Sequence, residues 1–162
     1  MRKDNYDKFP STKLTGMLVQ GWDSIISMLK KKMDARKVLA VDLYTGVYEE
    51  EVLDAFSKEF SGRVMNVRDL MKPEKEIQAL TERFMTEDVL FGYVTNLKLE
   101  DYLDADKVAA ARKQISEAKE TIVIIGTGAA VVAPQDAMVV YADMARWEIQ
   151  QRFRRHEVKA LG

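Results

Sequence analysis

The sequence predicts a three-layer α/β/α domain built on a mostly parallel sheet of about five strands. Three observations predict it. Short apolar runs alternate with segments of helical periodicity along most of the chain. Several of those runs are unbroken by polar residues, the pattern of strands buried on both faces. The length of 162 residues suits one domain with a sizeable core.

Residues 1–20 read as an irregular N-terminal arm, with Phe9-Pro10-Ser11-Thr12 turn-like because proline biases its predecessor away from the helical region. A first helix is expected over Trp22 to Met33. Trp22, Ile25, Ile26, Leu29 and Met33 fall on one face, and Lys30, Lys31 and Lys32 complement the C-terminal dipole. Val38-Leu39-Ala40-Val41 is the first strand, with Asp42 at its end. A short loop leads to a helix with Glu49, Glu50 and Glu51 in its first turn and Val52, Leu53, Phe56 and Phe60 inside.

Val64 to Val67 reads as a second strand. Pro73 opens the next helix, where a missing N–H costs nothing, and Ile77, Leu80 and Phe84 face inward. Val89 to Tyr93 is expected as a strand. Asp104 or Asp106 caps a helix running to about Ala118. Thr121 to Ile125 and Ala137 to Tyr141 are further strands, and Asp143 is expected to cap a last helix carrying Ala145, Ile149 and Phe153 on one stripe. The organisation is therefore an arm over 1–20, a single α/β domain over 21–155 and a basic tail over 156–162.

Composition narrows the function. Hydrophobic residues make up 47% and charged residues 31%, as in ordinary globular proteins. The 25 basic and 26 acidic residues leave no basic excess of the kind that nucleic-acid or anionic-membrane binding uses. No membrane span or signal peptide is visible. With no cysteine and one histidine, His156, thiolate and multi-histidine metal sites, thiol nucleophiles and disulfides are excluded; the usage fits a reducing cytoplasm. No catalytic or metal-ligating set can be assigned. Trp22 and Trp147 read as packing residues.

Three places could bind a ligand, because parallel sheets bind at the C-terminal ends of their strands. The first is the loop from Asp42 through Thr45, Gly46, Val47 and Tyr48. A strand, a glycine and a helix start make an anion site, but a working phosphate loop also needs further glycines and a Lys-Ser/Thr pair. A connecting loop with acids at the helix start is the alternative. The second is Gly126-Thr127-Gly128, a half match to a dinucleotide fingerprint, read instead as a tight turn passing close to a neighbour. The third is the last helix, with Asp143 before it. There Arg146, Gln150 and Arg154 share a face, and Glu148 pairs with Arg152 at i, i+4. Its arginines either close over a phosphorylated ligand or form a solvated face.

Two resemblances extend this reading. Asn5 to Pro10, Gly21-Trp22, Gly46 to Val52, Leu99-Glu100-Asp101, Gly128 to Val131 and above all Tyr141 to Gln150 resemble the N-terminal region of long bacterial proteins of the class I mannose-6-phosphate isomerase type. The resemblance implies carbohydrate metabolism and, as partner, a cupin-type isomerase domain further along the chain. That isomerisation uses a metal set that cannot be placed here, so the resemblance implies an accessory domain. The layout is also similar to uridine-kinase-type phosphate-loop kinases, with Val38 to Leu53 in place of the phosphate-loop unit and Tyr141 to Arg155 in place of the lid helix. The loop is degenerate, and phosphoryl transfer loses its main charge stabilisers. The expectation is a non-catalytic kinase-like domain that binds a nucleotide or sugar phosphate. The alternatives are a small-molecule or nucleoside kinase with an atypical phosphate site, and a pure interaction domain or homo-oligomer.

Overall fold

The computed structural model describes residues 10–13, 15–33, 35–88 and 90–161. Residues 1–9 of the expected arm lie outside these; the described residues between 10 and 20 form neither helix nor strand.

Four strands form one all-parallel sheet in the order β2-β3-β1-β4. They are β1 (Val38–Leu43), β2 (Arg63–Asn66), β3 (Ile122–Gly126) and β4 (Met138–Ala142). β1 and β3 are buried at every position, as their unbroken apolar runs require. They pair in register from Val38↔Ile122 to Asp42↔Gly126.

Alternate residues of the two central strands feed two cores. Leu39, Val41, Leu43, Val123 and Ile125 face α1 (Trp22–Met33) and α2 (Glu49–Glu59), which contribute Ile26, Leu29, Val52 and Phe56. Trp22 packs edge-on against Phe56 at 6.2 Å, so its reading as a packing residue holds. Val38, Ala40, Ile122 and Ile124 face the other layer. That layer contains α3 (Glu74–Thr81), α4 (Leu99–Tyr102), α5 (Ala105–Glu117) and α6 (Ala129–Val132). The last helix, α7, spans Arg146–Arg154. Asp104 caps α5 by accepting the amides of Asp106 and Lys107, both at 3.0 Å.

Three expectations are corrected. Of Val89 to Tyr93, Val89 lies outside the described residues, and Leu90 to Tyr93 form no strand. Asp88 Oδ1 accepts the amides of Leu90 at 2.7 Å and Phe91 at 3.0 Å, and this local turn replaces a ladder. The sheet therefore has four strands among the described residues. Asp143 does not cap α7: its carboxylate accepts the neighbouring Met144 amide, and Ala145 is the N-cap without a side-chain bond. Trp147 is not a packing residue; it is 69% exposed.

Candidate functional site at the C-terminal ends of the strands

β1 leads into α2 on one face of the sheet, while β3 leads into α6 on the other. The chain thus leaves neighbouring strands in opposite directions at Asp42 and Gly126, the switch point at which open parallel sheets form a ligand crevice. A crevice of about 550 Å³ lies at this end of the sheet. The β1–α2 loop, Arg68, Met71, Lys72, Thr127 and the segment Glu157–Leu161 line it. A larger hollow of about 870 Å³ lies at the opposite end, beside Val38 and Ile122 where the strands begin.

The switch point is closed by the protein's own carboxylate. Asp42 is the buried charged residue of the described core. Gly128 N–H donates to its Oδ1 at 3.1 Å, and Ala130 N–H donates to its Oδ2 at 2.8 Å. Two amides at the start of α6 are thereby satisfied from within. Gly126 has φ +135°, and a Cβ there would stand 2.9 Å from Val67 Cβ. The Gly126-Thr127-Gly128 run is therefore a tight turn in close approach to a neighbour, as the sequence suggested, with Gly128 held by Asp42.

The β1–α2 loop is held in the same way. Arg152 reaches from α7 to donate to the Gly46 carbonyl at 2.8 Å, and its guanidinium lies 3.7 Å from the Tyr48 ring centroid. Glu148 accepts from Arg152 at 3.2 Å, the i, i+4 pair expected from sequence, and from Arg155 at 3.2 Å. These two bonds hold the Glu148 carboxyl below its ordinary range. Tyr48 OH donates to Glu157 Oε2 at 2.7 Å, and Arg155 donates to both Glu157 oxygens at 2.6 and 2.8 Å. Arg155 first, then Tyr48, holds the Glu157 carboxyl down at about 2. The same bond to Glu157 raises the Tyr48 phenol.

Of the residues singled out in the sequence, Thr45, Gly46, Val47 and Tyr48 line the crevice, and Arg152 braces their loop. Asp42, Gly126 and Gly128 form the switch point beneath it. Asp143 and Arg146 are exposed and do not line the crevice. On α7, Arg146 and Arg154, expected on one face with Gln150, are exposed, while Arg152, expected as the partner of Glu148, turns inward to the loop.

Sequence reasoning missed Arg68, Lys72 and Glu157. Arg68 donates to Glu50 at 3.1 Å and to Glu49 at 3.0 Å, clamping the first turn of α2. Lys72 Nζ donates to the Asp101 carbonyl at 2.7 Å. Glu49 Oε1 is buried without a hydrogen-bond partner and belongs to a residue lining the crevice. The basic spacing of 152, 154 and 155 around an acid at 157 was the one available signal for Glu157.

No group of three or more acidic or histidine side chains among the described residues could hold a metal ion. No helix among them is long and apolar enough to cross a membrane. Fold and crevice together define a parallel α/β domain with a switch-point cleft braced by internal ion pairs. The chain belongs to the family described as Domain of unknown function (DUF8485), whose sequence model matches residues 21–162. No curated protein and no solved structure matches it.

Proposed function

We propose that this chain is a non-catalytic binding domain, kinase-like in layout, whose crevice takes a small polar molecule without transforming it. The observation that carries this reading is Asp42. Its carboxylate occupies the switch point, bonded to Gly128 and Ala130, and would repel a phosphate brought to those amides. The neighbouring loop supports it: Gly46 is gripped by Arg152, and no lysine lies between Asp42 and the three glutamates that open α2. The loop lacks the glycine run and the Lys-Ser/Thr pair that stabilise the charge of phosphoryl transfer in phosphate-loop enzymes.

The resemblance to mannose-6-phosphate isomerases points to a sugar phosphate or nucleotide as ligand and to an accessory role beside a cupin-type domain. In this reading Lys72 and Lys159, both at the crevice, meet the phosphate in place of the α7 arginines. The unpartnered Glu49 oxygen is an acceptor for a ligand hydroxyl. A thermal-shift panel of nucleotides, mannose-6-phosphate and fructose-6-phosphate, with and without magnesium, tests it. A ligand at about 100 times its dissociation constant adds ~2.7 kcal/mol of stability. Stabilisation by one of these compounds that is reduced in Lys72→Ala supports the reading; no stabilisation by any of them removes the phosphorylated ligand from it.

A second reading, self-association, has its own observation. β4 is an edge strand without charge or proline, and Val139 and Tyr141 on it are 54% and 57% exposed. Both share the register of Ala40 and Asp42, whose face is covered by helices over the centre of the sheet but not over β4. Two copies pairing antiparallel about Val140 would set Val139 opposite Tyr141 of the other copy, a favourable aromatic–aliphatic pair. Light scattering reads the outcome. A dimer that dissociates in Tyr141→Lys favours this reading, and a monomer at high concentration discards it.

A further inference from the structure

We propose that Glu157–Leu161 is a hinged strap that occupies the mouth of the crevice, so that a ligand must displace it to enter. The proposal rests on reading the crevice as the binding site and adds a regulation to it.

The hinge is the end of α7. His156 N–H donates to the Phe153 carbonyl at 3.0 Å, and Glu157 N–H donates to the Arg152 carbonyl at 2.9 Å. This is the paired closure of a Schellman ending, with His156 at φ 55° where glycine is usual. It turns the chain back over the strand ends. Beyond it the strap lines the crevice from Glu157 to Leu161, and Leu161 packs against the core cluster that includes Met71.

The attachment is strong at one end and slight along the rest. Glu157 is the latch, joined to Tyr48 of the β1–α2 loop and to Arg155. Among the described residues, no backbone hydrogen bond ties Val158–Leu161 to the domain. A segment held by one carboxylate and one apolar side chain opens at far lower cost than the buried sheet. Its latch also grips the loop that forms the crevice wall. Tyr48 carries Glu157 on its hydroxyl and Arg152 on its ring, and Arg152 holds Gly46. Release of the strap therefore takes the Tyr48 hydroxyl bond from the wall, while Arg152 keeps its hold on Gly46 and on the Tyr48 ring.

Two methionines make the strap measurable. Met71 lines the crevice and is 8% exposed; Met33 is 5% exposed at the other end of the sheet. Peroxide oxidation of the full chain, followed residue by residue by mass spectrometry, compares wild type with Glu157→Gln and with Leu161→Ala. The expected result is several-fold faster oxidation of Met71 in both variants, with Met33 unchanged. An unchanged Met71 rate in both variants overturns the strap. So does a parallel rise at Met33, which would mean general loosening. The readout needs no ligand, so failure of the ligand panel leaves it intact, and its failure leaves the panel intact.

Discussion

The Gly128 amide donates to Asp42 Oδ1 at 3.1 Å, joining residues 86 apart in sequence. The bond ties the end of β1 to the start of α6, and the Ala130 amide completes it at 2.8 Å. A buried carboxylate bonded twice to backbone amides is structural as it stands. Asp42→Ala leaves both donors without a partner, and a loss of about 3 kcal/mol in urea unfolding is expected. Asp42→Asn keeps an acceptor for one amide and turns a donor toward the other, so its cost falls between wild type and alanine. A neutral effect of Asp42→Ala would mean that water satisfies these amides.

Gly46 has φ +92°, and a Cβ on it would lie 3.1 Å from Ile149 Cγ2. Gly46→Ala combines a left-handed backbone with a tight contact, and a cost of ~1–3 kcal/mol is expected. The contact part is shared with Ile149. Gly46→Ala should therefore cost less in an Ile149→Ala background than alone, a coupling that a double-mutant cycle measures. Additive effects would show that backbone strain alone matters.

His156→Gly should stabilise the domain. A left-handed conformation costs an L-residue about 1–2 kcal/mol, and glycine returns part of this through its larger entropy loss on folding. A gain of ~0.5–1 kcal/mol in thermal unfolding is expected. His156→Val should lower stability, because a branched side chain suits this conformation least.

Much of this fold is legible in the sequence, and the reasons are local. β1 and β3 are buried on both faces, so their apolar runs carry the signal without tertiary help. α2 and α5 announce themselves by first-turn acids and by Asp104. Leu90 to Tyr93 fails for an equally local reason. Asp88 binds the next amides, and Gly92 lies so close to the Phe84 carbonyl that a Cβ there would stand 2.4 Å from it. Apolar content alone suggests a strand there, and these turn contacts override it. The site is harder to read. Thr45 to Tyr48 follow from strand-end logic, but Arg68, Lys72 and Glu157 come from three separate segments. Only the folded sheet brings them together, and nothing in their spacing marks it.

Acid should open the strap. In the folded protein Glu157 titrates at about 2, below its ordinary 4.5, because Arg155 and Tyr48 bond its charged form. A depressed carboxyl contributes fully above its unfolded value and loses that contribution as pH falls through its folded value. Met71 oxidation is therefore expected to stay flat from neutral pH down to about 5 and to rise between roughly 4.5 and 2. Glu148 shares Arg155 and titrates low as well, so the comparison is with Glu157→Gln, in which the Glu157 part of the rise is absent. Identical pH profiles for the two proteins would remove Glu157 as the latch.

The proposed absence of phosphoryl transfer at a switch point filled by Asp42 is tested most directly by incubating the full chain with magnesium-ATP and a panel of nucleosides and hexoses and quantifying ADP. No ADP above the protein-free control is the predicted result. ADP that scales with protein and disappears in Asp42→Asn would contradict the account and make this domain a kinase.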